Sequence, residues 1–201
     1  MDMPLDRRAE LLAQIVTALL DNGAGDLSLR PLAERVGTSA RLLIYHFGSK
    51  EQLIASALAE VRGQVAASLS ARAAREAPES QRGLLTMFWD WATETPNQRY
   101  FRLLFEIDGL AMYDRISFSE EVRRANSAAW TTLIDRAAGR LPQTGEQSAA
   151  RSTLIVCAIS GLLQEFLSSG DRQTTTAALS ALIALVAPDA PASPHVPGSS
   201  R

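Results

Sequence analysis

Between residues 28 and 49 the sequence SLRPLAERVGTSARLLIYHFGS spells two helices joined by a turn built on a single glycine. Neither helix is long enough to stand alone, because an isolated helix below roughly 12–15 residues does not offset its nucleation cost in water. Both therefore need a third helix to cover their apolar sides. Residues 6–22 supply one: Leu11, Leu12, Ile15, Val16, Leu19 and Leu20 recur at three- and four-residue spacing, opposite Arg7, Arg8, Glu10 and Gln14. Ser28 is placed to cap a helix over 29–36, with Pro31 in the first turn, where a missing N–H is tolerated. Gly37 stops that helix in a backbone conformation that a residue with a Cβ resists. Ser39 then caps a helix over 40–47 whose apolar residues are Leu42, Leu43, Ile44 and Phe47. Ala33 sits where the helices cross closely, and Leu29, Leu32, Val36 and Leu43 fill the space between them.

A short helix held in this way leaves one side uncovered. Its candidate reading surface is Thr38, Ser39, Ala40, Arg41, Tyr45 and His46. A helix N-terminus offers N–H groups to phosphates, and an arginine in the first turn reaches base edges. Arg41 is the first choice for a base contact, while Tyr45 and His46 suit phosphate or sugar. Lys50, in the first turn of the next helix, is a phosphate ligand beside the same surface. The plain alternatives are packing for Tyr45, an internal hydrogen bond for His46, and solvated charge for Arg41 and Lys50. Charge does not decide the matter: the whole chain is formally −2, and residues 1–50 carry six basic and six acidic side chains. Any DNA binding has to come from where the charges lie.

The rest of the chain continues in helices. Ser49 opens a long one, with Gln52 completing a capping box and Leu53, Ile54, Ala57, Leu58 and Val61 as its buried stripe, ending near Pro78. Further helices are expected at 80–95, 97–112, 118–141, 146–169 and 172–186, and no strand pattern occurs. The fold class is thus all-α. A three-helix helix-turn-helix DNA-binding domain is followed by a helical ligand-binding and dimerisation bundle, about nine helices in total. The boundaries fall at 1–50, 51–187 and a Pro-rich tail, 188–201, expected to be disordered and to carry no function for His195. Apolar stretches are interrupted by Arg, Glu or Gln before membrane-spanning length, so no membrane partner is expected. The single cysteine, Cys157, excludes an internal disulfide and makes the cytoplasm the default compartment.

Residues 28–54 resemble the TetR-like transcriptional regulators, with Ala33, Gly37, Ser39, Leu43, Phe47, Lys50, Glu51 and Leu53 in register with that family's pattern. The resemblance is specific over about residues 9–58. It departs at Thr38, where valine is usual, and at Ile44, where an aromatic is usual and the tyrosine is displaced to Tyr45. The phosphate contact of that aromatic therefore passes to Tyr45 or His46. The resemblance implies a homodimer, about nine helices per subunit, and repression of a DNA operator relieved by a small ligand.

Beyond residue 60 the aromatic and apolar material is dense enough to enclose a pocket, although most of it must be core. The candidate ligand-binding residues are Phe88, Trp89, Phe105, Glu106, Met112, Tyr113, Trp130 and Gln164. Glu106 and Asp108 lie in an apolar run, where a buried carboxylate needs a partner. A ligand would serve, and so would Arg99, Arg102 or Arg115. An apolar or aromatic small molecule is the favoured effector class. The last two helices carry more apolar surface than one bundle face needs. Ile155, Ala158, Ile159, Leu162, Phe166, Leu179, Leu182, Ile183 and Val186 are the candidate dimerisation residues, pairing by two-fold symmetry into a four-helix interface. That symmetry sets two reading helices about 34–36 Å apart, matching a palindromic double-stranded operator. An enzyme is not expected: Cys157 has no histidine partner, and there is no phosphate loop or Cys/His metal cluster, so no catalytic residue, metal or cofactor is assigned. The alternatives are an activator of the same architecture, and behind it a helical protein-interaction dimer or an enzyme.

Overall fold

A computed structural model describes residues 4–25, 28–119, 122 and 146–187. Within them the chain forms eight α-helices: α1 Pro4–Asn22, α2 Leu29–Arg35, α3 Ala40–Phe47, α4 Lys50–Glu76, α5 Gln81–Thr93, α6 Thr95–Met112, α7 Glu146–Ser169 and α8 Arg172–Val186. No strand occurs among the described residues. The helix expected over 118–141 falls almost wholly outside them, as do Trp130, the tail 188–201 and His195. Phe118 and Ser119 are not helical, and the Ser119 hydroxyl accepts the Val122 N–H at 3.3 Å, the pattern of an N-cap.

Capping decides the helix starts one residue at a time. Ser39, Ser49 and Ser80 each accept the N–H three residues on, from Leu42 at 3.2 Å, Gln52 at 3.1 Å and Gly83 at 3.1 Å. Ser28 occupies the same position before α2 yet makes no side-chain cap bond. The third residue on is Pro31, which has no N–H to give. The proline that the first turn tolerates thus removes one of the two donors a capping serine can use. Gly37 adopts φ +64°, and the turn is closed by Gly37 N–H to Glu34 O at 3.2 Å and Thr38 N–H to Ala33 O at 2.9 Å.

One hydrophobic core runs from α1 to α8. Leu11, Ile15, Leu43 and Leu53 are fully buried where α1, α3 and the start of α4 meet. Each such side chain contributes on the order of 1.5–3 kcal/mol relative to exposure. Ala33 is buried, and Leu32 and Val36 lie beside it. α4 continues inward through Ala57, Leu58, Val61, Val65 and Leu69, so a single rigid helix belongs both to the amino-terminal cluster and to the bundle. In the bundle α5 is clasped by two indoles: Trp89 donates to Thr176 Oγ1 of α8 at 2.9 Å and Trp91 to Ser68 Oγ of α4 at 3.0 Å.

The final hairpin turns at Gly170 and Asp171, whose carboxylate accepts the Thr174 N–H at 2.9 Å. The segment Ala150–Ser169 of α7 is long and apolar enough, by length and composition, to cross a membrane, with mean hydropathy 1.3. The segment contains Arg151, Gln164 and Glu165. One side of the helix, Ile155, Ile159, Leu163 and Phe166, is packed into the subunit core, and the other side is exposed.

Candidate nucleic-acid interface

α3 is two turns long and is held by two side chains. Leu43 and Phe47, four residues apart, point into the core, with 0 % and 5 % of their surface exposed. A helix that buries these two turns the opposite side outward, and Arg41 and Tyr45 occupy that side. Tyr45 is 80 % exposed. Leu42 and Ile44, read from the sequence as part of the apolar set, flank the outward face and are exposed as well. His46 is half-buried, with its ring edge-on to Tyr45 at 5.2 Å. Lys50 is half-buried at the start of α4, one short turn beyond.

The N-terminal part of the expected reading surface is less free. Ser39 is exposed, but its hydroxyl is engaged by the Leu42 N–H. Thr38 donates its N–H to Ala33, and its hydroxyl is buried without a hydrogen-bond partner among the described residues. Neither polar group of Thr38 faces outward, because the tight Gly37 turn folds that residue back against α2. Ala40 is half-buried against the core.

Arg8, which the periodicity places on the solvent side of α1, is instead a clamp. Its Nε donates to the His46 carbonyl at 3.2 Å, its terminal nitrogen reaches Ser56 Oγ of α4 at 3.4 Å, and the guanidinium lies 4.8 Å from the centre of the Phe47 ring. A cation at the C-terminus of α3 also meets the negative end of that helix. These partners lie 38 and 48 residues away, so no local pattern signals them.

The residues expected to bind a ligand do not converge. Phe88 and Trp89 are core: Phe88 meets Phe101 edge-on at 6.2 Å, and Trp89 packs at 6.3 Å from Phe166. Met112 and Tyr113 are 78 % and 80 % exposed at the end of α6, and Gln164 is exposed on α7. Trp130 lies outside the described residues. Phe105 and Glu106 are half-buried. Glu106 pairs with none of Arg99, Arg102 or Arg115, accepting instead the backbone N–H of Ala24. Arg99 reaches Asp21 at 3.4 Å.

The expected dimerisation residues divide by helix face. Ile155, Ile159, Phe166, Leu179, Ile183 and Val186 are buried within the subunit, so they are core and not surface. Ala158, Leu162 and Leu182 are half-buried. The outward face, which the sequence reading did not separate, carries Leu154 and Leu185, 59 % and 81 % exposed, with Cys157, Gly161, Ala178 and Ala181 around them. A period-3.6 count distinguishes the two sides of each helix, although it does not say which side turns inward.

Residues 11–57 match the profile of a family described as bacterial regulatory proteins, tetR family. Solved structures share the fold of nearly the whole chain. A transcriptional regulator from Rhodococcus sp. Rha1 aligns at TM-score 0.69 and 17 % identity, over 89 % of this chain and 95 % of that one. A TetR-family regulator from Cytophaga hutchinsonii aligns at TM-score 0.67 and 15 % identity, over 93 % and 96 %. The multidrug binding protein EbrR, solved with imidazole, aligns at TM-score 0.64 and 18 % identity, over 90 % of each chain. No curated protein sequence matches the chain.

Proposed function

We propose, on the premise that this chain is a TetR-like helix-turn-helix transcriptional regulator, that it is a homodimeric cytoplasmic repressor released from a palindromic operator by a small apolar or aromatic ligand. Residues 1–50 form the DNA-binding domain in this reading, residues 51–187 the effector and dimerisation domain, and 188–201 a tail. The observation that carries it is α3 itself: Leu43 and Phe47 lock the helix, and Arg41 and Tyr45 stand on its uncovered side. Arg41 reads a base edge. Tyr45, His46 and Lys50 contact phosphate or sugar, and Thr38, Ser39 and Ala40 line the approach.

The dimer forms on the outward side of α7 and α8. Leu154, Ala158, Gly161, Leu162, Ala178, Ala181, Leu182 and Leu185 present small and apolar groups there, as two-fold helix packing requires. A ligand within residues 80–166, near Phe105, releases DNA by displacing α4, which spans both domains, so that the paired reading helices leave their roughly 34–36 Å spacing. Ligand binding by EbrR on the same fold supports an effector for this chain.

The test is enrichment of duplexes from a random pool, followed by a salt titration of the best binder. The proposal expects a two-fold symmetric consensus and an affinity that falls steeply with salt. A protein that enriches no duplex, or binds all of them equally, is not this regulator.

A further inference from the structure

The corner between α1 and α2 is occupied by a carboxylate from another part of the chain. Glu106, on α6, lies 82 residues beyond its partner, and its Oε2 accepts the backbone N–H of Ala24 at 2.6 Å. Ala24 is 1 % exposed. Two glycines shape the seat. At Gly23, where φ is +74°, an added Cβ would stand 2.6 Å from Oε2, and at Gly25 it would stand 3.3 Å from Oε1. Gly23 thus has both a backbone and a packing reason to lack a side chain. The carboxylate lies just past the C-terminus of α1, the negative end of that helix. The helix field does not draw it there; the short bond to an otherwise unpartnered N–H does. Leu103 and Ile107, also on α6, are buried beside it, and Arg99 reaches Asp21 from seven residues earlier on the same helix.

We propose that Glu106 is a positioning residue for DNA binding: it fixes the α1–α2 corner on α6, so that α6 as well as α4 sets where α3 stands. The inference rests on α3 being the DNA-reading helix. α4 enters the amino-terminal cluster against α1 and α3, and α1 also packs on α6. The Glu106–Ala24 bond adds a directional tie at the corner itself, beside the Arg99–Asp21 contact. Phe105 precedes Glu106 on α6, so movement of that helix is passed directly to the corner.

The experiment compares the wild-type protein with Glu106→Gln, which keeps an acceptor of the same shape, and Glu106→Leu, which keeps volume without one. Two quantities are read: hydrogen exchange at the Ala24 amide, and affinity for a duplex that the wild-type protein enriches from a random pool. In the Leu variant the Ala24 amide is expected to exchange about tenfold faster and duplex affinity to fall about tenfold, the scale of a lost hydrogen bond to a charged group. The Gln variant, whose acceptor is neutral, falls between wild type and the Leu variant in both, and the salt slope is unchanged in both. Loss of a negative charge alone would have the opposite sign, tightening DNA binding in both variants. Tighter or unchanged binding by the Leu variant overturns the proposal, as does unchanged Ala24 exchange. If the Leu variant does not fold, Glu106→Asp keeps the charge but shortens the side chain by one methylene and withdraws the carboxylate from Ala24; the same paired losses are expected, and their absence overturns the proposal equally. A wild-type protein that enriches no duplex removes the DNA-binding reading and this inference with it, while Ala24 exchange in the variants still reports whether the seat exists.

Discussion

Replacing Arg8 by alanine removes three contacts at the end of α3 in one step. The hydrogen bond to the His46 carbonyl at 3.2 Å is charge-assisted and half-buried, and such bonds contribute about 1.5–3 kcal/mol, less where water reaches them. The 3.4 Å bond to Ser56 is long and adds little. The guanidinium 4.8 Å from the Phe47 ring centre adds roughly 0.5–1 kcal/mol. Taking the lower part of each range gives a loss of about 2 kcal/mol, which for a chain of this length lowers Tm by roughly 4–8 °C. Because the lost contacts lie on α3 and α4, duplex binding should weaken by more than the small change expected from one surface charge. Lysine should not restore it, since an ammonium cannot make the planar stack and the forked bonds together. The assay is thermal denaturation beside duplex affinity for Arg8→Ala and Arg8→Lys. An alanine variant within about 1 °C of wild type and with unaltered affinity would refute the clamp.

Three further outcomes follow from the same geometry. Arg41→Ala should reduce discrimination between the enriched duplex and altered sequences by about 1–3 kcal/mol; equal losses on all duplexes would assign Arg41 to the phosphate backbone. Lys50→Gln should weaken binding to every sequence alike and reduce the salt slope by about one unit, and an unchanged slope would remove Lys50 from the backbone contacts. Leu185→Glu, at an 81 % exposed position on the outer side of α8, should convert the proposed dimer to a folded monomer in analytical ultracentrifugation, and a dimer that persists would place the interface elsewhere.

The helices were legible because their punctuation is local. Ser39, Ser49 and Ser80 each find their donor three residues away, and Gly37 marks its turn by needing a positive φ. Ser28 shows the limit of that logic: a first-turn proline three residues after a capping serine takes away one of its two donors, and Ser28 makes no side-chain cap bond. The outward face of α3 was legible for the same local reason, since burying Leu43 and Phe47 leaves few choices for the opposite side.

What stayed hidden depends on distance along the chain. Nothing near Arg8 announces His46, and nothing near Glu106 announces Ala24; a carboxylate in an apolar run shows that a partner is needed, not which one. The α7–α8 hairpin failed differently. Both sides of each helix are apolar, one because it is core and the other because it is uncovered, so a list of apolar residues merged two surfaces that the fold separates. Phe88 and Trp89 of α5 are pocket candidates by the same ambiguity, and the fold buries both in the bundle, where the Trp89 indole donates to Thr176.

The central claim is that the outward face of α3 meets DNA. Hydrogen exchange with and without the enriched duplex tests it most directly, because a two-turn surface helix opens readily and slows sharply when covered. New protection is expected to concentrate in α3 and the first turn of α4 on adding duplex, with α7 and α8 unchanged. Protection confined to α7 and α8, or a saturated complex in which α3 exchanges as before, would contradict it.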